Sequence, residues 1–306
     1  MTKEKKILFI IIFNLIIVFS EITFGLISNS FALIADALHN AGDAIAIIIT
    51  YIALKFSTKQ KTFQFTFGFL KAEMMAAFVN TLFLFITMFY MIYEAIVRFI
   101  NPEIIEPIYM IVVGFVAVIA NGISAYVLSK MQVSSCPNHD HSHHHHEEDA
   151  NIKSAYLHML SDALISVGVI IAGIFIYFFK IYYIDSVLTI LFSIYILNHS
   201  YPLLKKSFYS LMDINITNIS QDELENIILN SNVNIVEYHD LHIHKPSSKH
   251  NFISFHIVLN DDNIALKVSE KITDDIRHKL EHIGFNHILI QVDSDKYIKN
   301  NINCSL

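Results

Sequence analysis

The sequence predicts a bundle of membrane-spanning helices followed by a small cytosolic α+β domain, and three observations carry that fold class. Of 306 residues, 54% are hydrophobic and 16% charged, against roughly 45–50% and about 25% in soluble domains. Apolar runs long enough to cross a bilayer, which takes about 20 helical residues, recur at 7–27, 32–54, 74–100, 107–129, 154–179 and 181–201. From Lys205 onward the chain is charged, with short amphipathic segments and no further spanning run. The expected division is therefore a membrane domain of six transmembrane helices over residues 1–212, with a cytosolic loop at 132–150, and a C-terminal domain over 213–306.

The first run follows Lys3, Lys5 and Lys6 like a signal peptide, but it is about 21 residues long without a small-x-small cleavage site, so it is expected to stay as an uncleaved helix. Cytoplasmic flanks accumulate Lys and Arg. With the N-terminus inside, the inner flanks hold Lys3, Lys5, Lys6, Lys55, Lys59, Lys61, Lys71, Lys130, Lys153, Lys205 and Lys206, and the outer flanks only Arg98 and Lys180. Both termini are thus expected in the cytosol, and the short tails without targeting signals point to a bacterial plasma (inner) membrane. Cys136 and Cys304 then face a reducing compartment, so no disulfide is expected. A net charge of −7 without a basic stripe excludes a nucleic-acid partner. The absence of a Gly-rich phosphate loop argues against an ATP-driven pump.

Charged groups in a bilayer cost about 2.5–3.5 kcal/mol on insertion scales, so those retained usually face the bundle interior and serve a function. The second run carries His39 and Asp43 in "ALHNAGDAI", and the fifth carries His158 and Asp162 in "YLHMLSDAL". At 1.5 Å rise per residue, His39 and Asp43 lie ~10 and ~16 Å deep from the outer side, and His158 and Asp162 ~6 and ~12 Å deep from the inner side. An i,i+4 spacing puts each pair on one helix face. Two imidazoles and two carboxylates make a complete tetrahedral shell for Zn²⁺. With both Asp ionised and both His neutral the set carries two negative charges, which a divalent ion or protons neutralise, and that supplies a reason for metal–proton exchange. A single pair reads equally as an interhelical hydrogen-bond clip or a proton relay; the same pattern on two helices at matched depth favours metal. Ser154, Ala155, Ser161, Ser166 and Gly168, with Ala37, Ala41, Gly42 and Ala44, would let the two helices approach closely. Asp36 reads either as the lining of an outer exit path or as an interfacial charge. Asn14, Glu21, Asn80, Glu94 and Asn121 are expected to make hydrogen bonds without chemistry.

Between the fourth and fifth runs lies "CPNHDHSHHHHEEDA", with His139, His141, His143, His144, His145 and His146. His-rich tracts bind metal by composition, and this one cannot pack a core. It reads as an auxiliary collector of divalent metal or as a solvated linker that binds metal incidentally. In the tail, Ser220-x-x-Glu223 is a capping box that opens a short helix. "NIVEYHDLHIHK" and "HNFISFHIVLN" read as strands joined by a turn. Ile264, Val268, Ile272, Ile276, Leu280 and Ile283 mark an amphipathic helix ending at Gly284, and "HILIQVD" a last strand. The order αββαβ makes a compact two-layer module. Histidines crowd it, at 239, 242, 244, 250, 256, 278, 282 and 287, and some of them are expected at a dimer interface or sensor site.

These stretches resemble the cation diffusion facilitators, a family of zinc transporters: "SNSFALIADALHNAGDA", "FGFLKAEMMAAFVN", "EAIVRFINP", the His-rich loop, "YLHMLSDALISVGVIIAG", "IDSVLTILFSIYIL" and "VEYHDLHIH" occur in order over nearly the whole chain. The resemblance implies a homodimeric, proton-coupled exporter of divalent metal with a six-helix domain and a cytosolic αββαβ domain of ferredoxin-like type. Its transport ligands fall on His39, Asp43, His158 and Asp162, a two-His, two-Asp set that looks zinc-preferring with Cd²⁺ or Co²⁺ tolerated. Imidazole suits Zn²⁺ better than Mn²⁺ or Mg²⁺. A charge interlock of bacterial relatives falls on Lys71 and Asp213. Tail metal ligands fall on His239, His256 and Asp293, but a fourth, a His in such relatives, is Gln291 here, a poor Zn²⁺ ligand that puts a full tail site in doubt. A membrane-proximal cytosolic site of some relatives falls on Thr62, Phe65 and Phe69, which cannot coordinate, so that site is expected to be absent.

The expected protein is thus no enzyme and carries no catalytic residue or cofactor. It is a secondary transporter that exchanges Zn²⁺ for protons by alternating access, with a second copy of itself, metal ions, protons and the lipid bilayer as partners. Zn²⁺ is its substrate, and in the tail a structural or regulatory ion. A membrane zinc sensor without net transport is the rival reading. An intramembrane metallohydrolase would need a general base beside an open metal position, which a saturated His₂Asp₂ shell does not offer.

Overall fold

A computed structural model describes the backbone of residues 3–57, 62–133, 145–261 and 263–294, and the side chains of 15–45, 48, 49, 52, 62–126, 157, 159–261 and 263–294. Helices α1 (Lys3–Ser28), α2 (Phe31–Ser57), α3 (Ala72–Ile100), α4 (Pro107–Val133), α5 (His145–Phe179) and α6 (Tyr183–Leu211) precede α7 (Gln221–Leu229), β1 (Ile235–His244), β2 (Phe252–Leu259), α8 (Leu266–His282) and β3 (His287–Asp293). Among the described residues, Ala72–Ile100, Pro107–Tyr126, Met159–Phe179 and Tyr183–Leu211 are long and apolar enough to cross a membrane, and Leu15–Ser28 is a shorter apolar helix.

Two helices outrun their apolar stretches the furthest. α5 begins at His145, not at 154, and α6 continues through Pro202 to Leu211. Hydropathy marks where apolar surroundings end, whereas backbone hydrogen bonding continues wherever φ and ψ allow. Proline costs one such bond and does not here stop the helix.

Two compact units result, one of residues 1–48 with 79–202 and one of 49–78 with 203–306. In the first, large apolar side chains point outward, among them Phe19, Leu26, Ile86 and Phe178. Glu21, Asp36, His39, Asn121 and Asp162 are buried instead. This inside-out distribution is what a lipid environment selects. Leu33, Met110, Val113, Val169, Ala172 and Ile176 form an apolar cluster, and α4 lies close along α5: a Cβ on Gly114 would come within 2.9 Å of Ile170 and 3.3 Å of the Ser166 carbonyl. A larger residue there would force the Ile170 side chain to shift, so glycine favours this close approach of the two helices.

In the second unit a three-stranded sheet runs β1-β2-β3, β1 antiparallel and β3 parallel to β2. Leu224 and Ile228 of α7 and Ile272, Ile276 and Leu280 of α8 pack with Ile253, Phe255 and Ile257 of β2. The i,i+4 stripe of α8 is the one its sequence spacing predicts. Ser220 Oγ accepts from the Glu223 amide at 3.2 Å, which caps α7. α8 closes on Gly284 at φ +99°, where the Phe285 amide reaches the Leu280 carbonyl at 3.1 Å and the Gly284 amide the Glu281 carbonyl at 3.0 Å, a Schellman closure that glycine's positive φ permits.

Candidate metal centre

His39 and Asp43 lie one turn apart on α2, and α5 brings Asp162 beside them. His39 Nε2 is 3.7 Å from Asp43 Oδ2 and 3.8 Å from Asp162 Oδ1. The imidazole and the Asp162 carboxylate are almost fully enclosed, with side chains 4% and 3% exposed, while Asp43 is 39% exposed. The group thus has a closed side and an open side. The side chain of His158, the fourth expected ligand, lies outside the described residues.

Around this group the bundle holds further polar contacts. Asn40 Nδ2 donates to Glu21 Oε2 at 3.1 Å. Ser166 Oγ lies 3.3 Å from Asp36 Oδ2 and 3.0 Å from the Asp162 carbonyl, so one hydroxyl links the helix that carries His39 to the backbone at Asp162. Asp36 is buried at 1% exposure, which rules out an interfacial charge open to headgroups.

α2 is positioned by a residue that sequence reasoning missed. Asp185, in the first turn of α6, accepts from Ser30 Oγ at 2.5 Å and from the amides of Phe31 and Ala32 at 3.0 and 3.3 Å. It thereby supplies, from another helix, an acceptor for the open amides that begin α2. Arg98 donates to the Asn29 carbonyl at 2.7 Å and to Asn29 Oδ1 at 2.6 Å, and its guanidinium covers the Phe31 ring at 3.9 Å. The only sequence signal was an acid at the start of an apolar run.

In the tail, His239 and His256 are cross-strand partners on β1 and β2, and Asp293 ends β3. Asp293 Oδ2 lies 2.8 Å from His256 Nδ1 and 3.2 Å from His239 Nε2, and the three can each offer an atom within 4.8 Å of the others. Burial alone would raise the pKa of Asp293, but the hydrogen bond from Gln291 and then His256 and His239 hold it below the ordinary aspartate value. Gln291 Nε2 donates to Asp293 Oδ1 at 2.9 Å, so the residue that cannot ligate well orients one that can. A bulge between His239 and His242 gives Asp240 a φ of +52° and brings its Oδ2 to 3.5 Å from His256 Nε2. The alternation of a regular strand gives no hint of that bulge.

Elsewhere, Lys71 Nζ contacts both oxygens of Asp213 at 2.8 Å, about half exposed; such a pair contributes about 0–1 kcal/mol. Thr62 Oγ1 accepts from the Phe65 amide at 3.2 Å, and Phe65 stacks on Phe69. Residues 134–144, with His139, His141, His143 and His144, lie outside the described residues, as do the side chains of His145 and His146.

The cation efflux transmembrane domain matches residues 7–212, and the cation efflux protein cytoplasmic domain matches residues 216–295. A cadmium, cobalt and zinc/H⁺-K⁺ antiporter of Bacillus subtilis (strain 168) is 33% identical over 97% of this chain and 92% of its own. The zinc transporter ZitB of Pectobacterium atrosepticum is 30% identical over 95% and 85%, and the metal cation efflux system protein CzcD of Cupriavidus metallidurans 31% identical over 90% and 81%. With both domain models matched in order and these relatives aligned over most of their length, the chain belongs to the cation efflux family, the cation diffusion facilitators.

Proposed function

We propose that this protein exports divalent metal, foremost Zn²⁺, from the cytosol in exchange for protons, with His39, Asp43, His158 and Asp162 as the transport site. The observation that carries the reading is the meeting of His39 with two carboxylates from two helices at 3.7 and 3.8 Å, enclosed on one side and open at Asp43. A borderline divalent ion suits mixed imidazole and carboxylate donors. Metal requires neutral imidazole and ionised carboxylate, so its arrival displaces protons and its departure readmits them. The names of the relatives, which include an antiporter and zinc transporters, agree with this class.

In this reading α1 to α6 all cross a bacterial plasma membrane, both termini are cytosolic, residues 1–212 transport, and residues 213–306 form a cytosolic domain through which two copies pair. The cytosolic domain binds a structural or regulatory metal at His239, His256 and Asp293, the loop histidines 139, 141 and 143–146 collect cargo, and Lys71 with Asp213 is a charge interlock. His39→Ala or Asp162→Ala, reconstituted in vesicles with an imposed pH gradient, should lower Zn²⁺ flux by more than the roughly 10–100-fold that loss of an outer-shell partner costs a metal site, with dimerisation intact. Wild-type flux in either variant would refute the site.

The tail cluster favours a second reading, a membrane zinc sensor that signals without transport. Flux separates the two: a sensor binds Zn²⁺ at the tail and moves none.

A further inference from the structure

The outer flank of α8 carries a feature that neither centre uses. Ile272, Ile276 and Leu280 face the tail core, and on the opposite flank His278 and His282 repeat the i,i+4 spacing, both exposed. Their ring centroids stand 4.6 Å apart with planes at 55°. We propose that His278 and His282 form a two-imidazole chelate for a borderline divalent cation such as Zn²⁺, distinct from both the membrane centre and the His239, His256 and Asp293 cluster.

Three physical features support it. First, Zn–N bonds of about 2.0–2.1 Å in a tetrahedral shell set the two donor nitrogens roughly 3.3 Å apart, a separation that exposed imidazoles with centroids 4.6 Å apart reach by side-chain rotation. Second, the frame is rigid: the turn bearing both residues is closed by the Phe285–Leu280 and Gly284–Glu281 backbone bonds, and Phe285 and Leu280 are buried beneath it. A preordered frame loses little entropy when it chelates. Third, the site falls in the last turn of the helix, whose negative end favours a cation.

The charged neighbours do not block it. Lys279 Nζ donates to Ser231 Oγ at 3.1 Å and is thereby held by the loop after α7. Asp274, one further turn back in the i,i+4 series, is bridged by Arg277, so the protein supplies two donors and water the rest. A site with open positions exchanges its metal, unlike a closed four-ligand site. The proposal goes beyond the transport reading and does not depend on it.

The test is residue-resolved histidine footprinting with diethylpyrocarbonate on the full-length protein in vesicles, titrated with Zn²⁺, comparing wild type with His282→Gln. His287, on β3 and without an i,i+4 histidine partner, is the internal reference. The expected result is that His278 and His282 become protected together, and that His282→Gln raises the Zn²⁺ concentration needed to protect His278 by about tenfold or more, as loss of one arm of a bivalent contact demands. Unchanged protection of His278 in the variant, or no protection of the pair beyond that of His287, overturns the proposal. Zn²⁺ flux in the same vesicles is a separate readout, and its loss would leave this result standing.

Discussion

In the proposed site His39 is the nitrogen donor that stands between two carboxylates, 3.7 Å from Asp43 and 3.8 Å from Asp162. Replacing it with Asp makes the group all-oxygen on the α2 side, a donor set that suits harder ions such as Mn²⁺. The expected outcome of His39→Asp is a lower Zn²⁺ flux and a higher Mn²⁺-to-Zn²⁺ ratio in a metal-competition assay; an unchanged ratio would mean that these residues do not set selectivity. The sign of the pH effect follows from the same chemistry. Protonated imidazole cannot ligate, so apparent Zn²⁺ affinity should fall as pH drops. The spacing that paired His39 with Asp43 was legible because i,i+4 is a property of the helix itself. The orienting role of Gln291, two residues before Asp293 on the same strand, was not, because Gln291 was weighed only as a ligand, and the approach of Asp240 to His256 was not, because it depends on a bulge.

At the scale of the element, α2 is held by its first turn. Ser30, Phe31 and Ala32 all donate to one carboxylate on α6, from a residue about 155 positions away in sequence. Such a contact leaves no local periodicity, which is why sequence reading missed it while recognising the helix it anchors. Asp185→Ala strands three donors in a buried setting, at about 1–3 kcal/mol for each group left unsatisfied. Asp185→Asn keeps one acceptor oxygen. The expected order in thermal unfolding in detergent and in Zn²⁺ flux is wild type, then Asn, then Ala. Equal stability and flux in the two variants would show that capping of α2 is not what Asp185 contributes. Helix ends were read less well than helix existence, because α5 and α6 run past the hydropathy boundaries.

Across the whole molecule, composition alone announced a membrane protein, and the outward apolar and inward polar side chains of the bundle agree with it. The tail was legible because α7, α8 and the strands each bury one periodic face against a shared core. What no linear reading supplies is which helix meets which across the bundle, and in the proposed site that meeting sets Asp162 of α5 beside His39 and Asp43 of α2. The central claim is that this centre exchanges metal for protons. Its most direct test is wild-type protein in vesicles, with Zn²⁺ and pH followed by separate fluorescent reporters on opposite sides of the membrane. The account predicts that an imposed proton gradient drives Zn²⁺ against its own gradient and that an imposed Zn²⁺ gradient drives protons the other way. Zn²⁺ binding with neither flux, or Zn²⁺ movement that leaves pH unchanged, would contradict it.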